Sequence, residues 1–316
     1  EWKPVTGTIP PLNEAQWQAE FAKYQEIGEY RHVTGPAGMT LDDYKFIYFW
    51  EWFHRLLGRV IGLAFAIPLA WFWIKQAIPA GYKGRLVALL ALGGMQGAFG
   101  WFMVRSGINQ TATDVSHFWL SIHLLTALLT LGGLVWTALD LKALARDPAT
   151  RPARMTGLAF ATIVVLFVQL LLGAWVAGLN AGYAANSWPL MNGSFVPVDV
   201  DWSNGAIHAL TYDPFLLHFL HRWWAFVAVA ALVATPVAHA NDFAKPDEFV
   251  KVSGGLLLLF GIGTIIGPTL GGPREDPVRG RSLIVRGRAN LLDDPRAHDS
   301  HAVAERHGLD LVVRHV

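Results

Sequence analysis

The sequence predicts an all-α polytopic membrane protein, with about six transmembrane helices present out of an eight-helix bundle made of two four-helix halves. Three observations carry this. Of the 316 residues 53% are hydrophobic and only 16% charged, a composition far from that of a soluble domain. Apolar runs long enough to cross a bilayer recur along the chain. Finally, the second half of the sequence repeats elements of the first in the same order.

Residues 1–45 are polar, carry more acidic than basic side chains, and contain a helical pattern over Leu12–Ile27; they read as an outer, periplasmic loop. The first span, 46–76, is FIYFWEWFHRLLGRVIGLAFAIPLAWFWIKQ. Lys75, Lys83 and Arg85 mark the turn after it as cytoplasmic, and the second span, about 86–104, carries Gly93, Gly94, Gly97 and Gly100 as a small-residue face for close packing. The third span, about 118–139, completes the part of the N-terminal half that is present, 46–139. Lys142, Arg146, Arg151 and Arg154 make 140–155 the strongest cytoplasmic loop. Spans at about 156–178, 214–240 and 252–270 form the C-terminal half, 156–270, and the intervening loop has Asp199 and Asp201 but no Lys or Arg, so it is outer. From 271 to 316 the chain turns abruptly rich in Arg and Asp, fitting a solvated tail.

Cysteine is absent, which excludes disulfides, thiolate zinc sites, iron–sulfur clusters and covalent haem attachment; a metal would need His or carboxylate. A net charge of +1 without a basic run interleaved with aromatics gives no sign of nucleic acid binding.

FHRLLGRVIGLAFAIPLAWF at 53–72 matches LHRWWAFVAVAALVATPVAH at 220–239, and EWKPVTGTIPPL at the start matches NSWPLMNGSFVPV at 186–198. GGMQGAFGWFM at 93–103 is weakly like GGLLLLFGIGTII at 254–266. Four spans per half follow, so the first half is expected to lack its first span and the second its last.

Within the first span Glu51, His54 and Arg55 share a helix face. Ionisable groups in hydrocarbon are costly and mark functional sites, although Glu51 and Arg55, four apart, could simply pair. That alternative leaves His54 unaccounted for. His54, His123 and His221 each stand eight or nine residues inside an outer boundary at Lys45, Asp114 or Asp213. At 1.5 Å per residue the three imidazoles share one membrane level, roughly 12–14 Å along their helices. Neutral imidazoles at such a level suggest axial ligands to haem iron. His117, near the interface and on a different face from His123, reads as a surface residue, His208 and His239 as boundary residues, and His32 as a loop residue. His218 shares a face with His221, but the repeat aligns His221-Arg222 with His54-Arg55 and His218 with Glu51. Only the first half therefore has a carboxylate one turn before its ligand, which suggests one cofactor-only site and one reactive site.

EWFHRLLGR, MQGAFGWFMVRSG, VSHFWLSIHL, GAWVAGLNAGYAANSWPLM and FLHRWWA together resemble the haem A synthase family, of the long-loop alphaproteobacterial and mitochondrial type, through about residue 267. The resemblance implies an eight-helix, two-half fold in the bacterial inner membrane. It implies oxidation of a methyl of haem O to the formyl of haem A for cytochrome oxidase. By the same resemblance His54 and His123 bracket the substrate haem, Glu51 is the essential carboxylate, and His221 binds haem b with a His of the eighth helix. Arg55, Arg105 and Arg222 lie near the outer side, where they could pair with haem propionates or equally with Glu51 and outer-loop acids. The expected partners are the lipid bilayer, haem O synthase and oxidase assembly components; a homo-oligomer stays open.

The chain departs from the family pattern at both ends. The offset of 167 places the fourth axial His near Asn290, inside the charged tail, which is expected to ligate nothing. A reading-frame shift after about codon 267 would produce such a change of composition. A dihaem electron-transfer protein is the main rival function, and a transporter using Glu51 as proton carrier the third.

Overall fold

The computed structural model describes residues 6–109, 111–185 and 187–243. These fold into α1 (Glu14–Tyr24), α2 (Leu41–Ile74), α3 (Lys83–Gly107), α4 (His117–Arg146), α5 (Gly157–Gly178), α6 (Ala206–Tyr212) and α7 (Pro214–Phe243). Five of them, α2, α3, α4, α5 and α7, are long and apolar enough to cross a membrane, so the chain is a multi-pass membrane protein. The sixth expected span, 252–270, position 290 and the tail lie outside the described residues.

Hydrocarbon offers no hydrogen-bond partner to a bare backbone, so each crossing must be one uninterrupted helix with its ends secured near the interface. The sequence supplies the caps. Thr40 and Asp43 form a capping box at the start of α2, Thr156 caps α5 through the N–H of Ala159, and Asp213 accepts from the N–H of Leu216 just before Pro214 opens α7. These caps move the boundaries: α2 begins at Leu41 rather than 46, because the capping box starts the helix in the outer layer before the hydrocarbon begins. Likewise α4 runs on to Arg146 rather than stopping near 139. Pro68 sits inside α2, where it removes one N–H from the helix ladder.

Neighbouring helices pack in the order α2, α3, α4, α5, α7. Outward-facing apolar side chains such as Phe46, Trp50, Ile67 and Trp71 on α2 suit a solvent as apolar as leucine. The expected packing face of α3 is corrected: among the described residues, a Cβ added at Gly93, Gly94 or Gly97 would meet nothing within 4 Å. Gly100 alone of the four lies against a neighbour.

The outer segment caps the bundle at the α2 end. Phe21, Met39 and Tyr44 form a small core with Trp17, Tyr24, Tyr30 and Tyr48 around it, and Trp52 donates to the Thr8 carbonyl at 2.8 Å. Burial, helped by the Glu29 carboxylate, pushes the Tyr24 phenol well above its ordinary value. The loop after α1 is tied to the end of α3 by the Gly28 N–H on the Asn109 carbonyl at 2.7 Å. The corresponding segment of the second half packs on α7, with Trp188 stacked on Trp223 at 5.9 Å between ring centres. The matched segments thus rest on matched helices.

At the α3–α4 contact Arg85 of α3 donates to Asp140 of α4 at 2.6 Å and lies over the Trp136 ring, while the other Asp140 oxygen accepts from the Ala153 N–H. The Asp140 side chain is 5% exposed, so its removal strands a half-buried guanidinium. Asp140→Ala is expected to destabilise the chain by about 3 kcal/mol. Thermal unfolding in detergent measures this, with Lys142→Ala as a neighbouring control that should change little.

Candidate functional site

One long helix sets the first half of the site. On α2, the 3.6-residue period places Glu51, His54 and Arg55 on one side, and α3 and α4 bring up the facing wall. The rings of His54 and His123 stand 6.4 Å apart between centres, nearly perpendicular at 82°. That is too far for a direct hydrogen bond. Two imidazoles bound on opposite sides of one metal atom, each about 2 Å from it, would hold their ring centres about 6–6.5 Å apart. The pair therefore fits a haem iron by its spacing. Among the described residues, no cluster of three or more His, Cys, Asp and Glu could hold a metal ion by itself. A porphyrin needs only the two axial donors.

Glu51 and Arg55 pair at 3.4 Å, with the Glu51 side chain 60% exposed and that of Arg55 17%. Glu51 also lies within electrostatic reach of Tyr24, Tyr44 and Tyr48 beneath the outer cap. A carboxylate so placed keeps most of its oxygen surface open on the side where His54 is also exposed.

His123 is held from behind by α3. Its Nδ1 lies 3.1 Å from the Gln96 backbone carbonyl, its Nε2 lies 3.3 Å from the Gln96 side-chain amide nitrogen, and a Cβ at Gly100 would fall 2.8 Å from its Cε1. With Nδ1–H donating to the carbonyl, the Nε2 lone pair is the one left for a metal. His221 on α7 is held in the same manner by α5. The Gln169 side-chain amide nitrogen lies 3.1 Å from its Nδ1, the Gln169 backbone is also in hydrogen-bonding reach, and a Cβ at Gly173 would fall 2.9 Å from Cε1. In both cradles the glutamine Oε1 is buried without a partner among the described residues. Orphaned amide oxygens and ring-shaped gaps at two glycines fit sites that accept imidazole-held cofactors.

Sequence reasoning passed over these two glutamines. The signal was there: QGAFG at 96–100 and QLLLG at 169–173 share Gln-x-x-x-Gly spacing on the helix paired with each ligand-bearing helix.

The arginines are placed differently from one another. Arg55 takes Glu51, and Arg105 lies over the Trp101 ring at 5.2 Å. Arg222 donates Nε to His218 Nε2 at 2.9 Å and its two terminal nitrogens to the carbonyls of Ser187 and Ala185 at 2.9 and 2.7 Å. Its structural partners are thus loop carbonyls rather than outer-loop acids. The repeat shows through here: Arg55 reaches back four residues to Glu51, and Arg222 four residues to His218. His218 is a buried positioning partner of Arg222, 8% exposed.

His117 is a correction. It was expected at the surface but is 5% exposed, because the short α6 brings Tyr212 over the start of α4, 4.9 Å ring to ring, while Trp175 closes the other side at 6.0 Å. His208 stays exposed and stacks on Tyr212; His32 is exposed in the outer segment. The side chain of His239 is outside those described.

Comparison with known proteins agrees with this architecture. The COX15-CtaA family, described as cytochrome oxidase assembly protein, matches residues 1–266. The heme A synthase of Erythrobacter litoralis is 59% identical over 265 residues, covering 84% of this chain and 78% of its own length. Those of Sphingopyxis alaskensis and Novosphingobium aromaticivorans are 58% and 55% identical, each over 84% of this chain and over 74% and 77% of their own lengths. No solved structure matches the chain.

Arg222 fastens the outer loop to α7 by two carbonyls, and a hydrogen bond from a charged donor contributes about 2 kcal/mol. Arg222→Gln is expected to raise the rate of limited proteolysis between residues 187 and 205 about 30-fold, the equivalent of one such bond lost from the local opening equilibrium.

Proposed function

We propose that this chain, which belongs to the COX15-CtaA family of cytochrome oxidase assembly proteins, is a haem A synthase, an integral-membrane oxidoreductase that converts a methyl substituent of haem O to the formyl group of haem A. The observation that carries it is the His54–His123 ring pair, spaced for one iron atom, with a carboxylate one helical turn before His54.

Methyl to formyl is a net loss of two hydrogens and gain of one oxygen at an unactivated carbon. His54 and His123 hold haem O as substrate from its two faces and fix where its periphery lies relative to α2. Glu51 then acts on the methyl, accepting a proton or stabilising positive charge that develops there. Arg55, within 3.4 Å, keeps the Glu51 carboxylate from swinging away. Arg105 and Arg222 stand on the outer side, where propionates would lie, and the hydrogen bonds of Arg222 to His218, Ser187 and Ala185 leave N–H donors of its guanidinium for them.

In the second half, His221 on α7 would hold a haem b, whose contribution when bound is one-electron redox chemistry. The equivalent of Glu51 there is His218, which is committed to Arg222. The C-terminal half is thus read as the cofactor site and the N-terminal half as the reactive one. Haem O synthase, as the source of the substrate, and oxidase assembly components that take haem A are the partners this role implies.

Two bis-imidazole sites would serve electron transfer equally well, and the asymmetric carboxylate is what argues for substrate chemistry. Pigment extracted from the purified chain should contain haem O or its oxidised derivatives alongside haem b; haem b alone would favour electron transfer. Glu51→Ala is expected to lower methyl oxidation about 100- to 10,000-fold while leaving haem b content largely intact. Equal loss of both would make Glu51 a structural partner of Arg55.

A further inference from the structure

We infer that Gln96 with Gly100, and Gln169 with Gly173, form two equivalent cradles that set the tautomer and ring orientation of His123 and His221, so that each imidazole presents Nε2 to its haem. The inference rests on the proposed ligand roles of these two histidines.

Four observations converge on each cradle. A glutamine four residues before a glycine brings both to the same helix face, one turn apart. The glycine is needed for close approach: a Cβ at Gly100 would meet His123 Cε1 at 2.8 Å, and one at Gly173 would meet His221 Cε1 at 2.9 Å. A hydrogen in place of the methyl lets the ring slide over the helix and reach the residue one turn back. That residue is Gln96, whose carbonyl is 3.1 Å from His123 Nδ1, and Gln169, whose backbone and side-chain amide both approach His221. Each glutamine also keeps Oε1 buried and unpartnered among the described residues.

Nδ1–H on an acceptor leaves Nε2 as the only lone pair, and a stronger acceptor makes the imidazole a more basic ligand. The carbonyl provides this at once for His123. At His221 a half-turn of the Gln169 amide sets the orphaned Oε1 against Nδ1–H as a further acceptor. For His123 the Gln96 amide N–H instead points at Nε2, satisfying that lone pair until iron takes it. The two halves thus use one device on different helix pairs, α3 with α4 and α5 with α7. It is a separate symmetry from the 167-residue repeat, since Gln96 and Gln169 are 73 positions apart.

The test uses the full chain in detergent, titrated with haem b as probe. Gly100→Ala should weaken haem retention at the first site about 10- to 100-fold and leave the second site unchanged, and Gly173→Ala should do the reverse. Gly97→Ala and Gly157→Ala, where an added Cβ meets nothing within 4 Å, should match the parent chain. Gln96→Leu and Gln169→Leu add no clash, so they decide the matter should an alanine variant fail to fold. Gln169→Leu should raise the midpoint potential of its own haem and alter the low-spin spectrum, while Gln96→Leu, which keeps the carbonyl on Nδ1 and removes the amide from Nε2, should tighten haem binding at the first site; a purely packing role would produce neither. Wild-type affinity, potential and spectrum in all four cradle variants would overturn the inference. If instead His123→Ala and His221→Ala leave haem content unchanged, the ligand assignment itself has failed, and the cradles hold the rings for another purpose.

Discussion

A hydrocarbon medium gives no partner to a polar group, and this one constraint organises most of what is seen in the five spans. The few polar side chains at depth are engaged: Thr130 and Thr137 donate to carbonyls one turn back, Thr162 meets Thr235 across the α5–α7 contact, and Trp175 donates to Ser121 across α4–α5. Trp224 donates to the Val165 carbonyl. Beside such pairings, two histidines facing each other over a gap, and glutamine oxygens buried without a partner among the described residues, fit a place that takes a further group.

The same constraint decided what could be read from sequence. Spans were legible because uninterrupted apolar runs are the only solution for crossing, and the three histidines were legible because ionisable groups in such runs are rare. Helix ends were less so: Leu41 and Arg146 lie beyond the apolar runs, where capping by Thr40 and Asp43 or simple continuation into water sets the boundary. His117 was misjudged for a different reason. Its burial depends on α6 folding back to place Tyr212 beside it, a contact between residues far apart in the chain that no local period encodes. The glycines of α3 were read as one packing face, yet among the described residues a Cβ at 93, 94 or 97 would meet nothing within 4 Å while one at 100 would meet an imidazole, a distinction only the neighbouring helix can make.

The repeat gains meaning from its departures. Matched outer segments rest on α2 through Trp52 and on α7 through Trp188 and Arg222, so the two halves share scaffolding. They diverge at the position one turn before each arginine. Where Arg55 has Glu51 one turn back, Arg222 has His218, and the second arginine is further fastened to the carbonyls of Ala185 and Ser187. A neutral imidazole accepting one hydrogen bond completes a rigid surface under a folded loop. The Glu51 carboxylate, paired with Arg55 at 3.4 Å, stays 60% exposed.

Under the proposed function, rigidity and openness divide between the halves. A haem that only relays electrons benefits from fixed ligands and a closed outer loop, because reorganisation slows transfer. A haem that enters, is altered and leaves requires an approach path and a reactive group that can change partners. Glu51 at 60% exposed beside His54, against His218 at 8% exposed beside His221, is that division expressed in two residues at equivalent positions. Under the proposed function the repeat provides two imidazole sites, and the exchange of carboxylate for imidazole one turn before the second of them is what distinguishes the two.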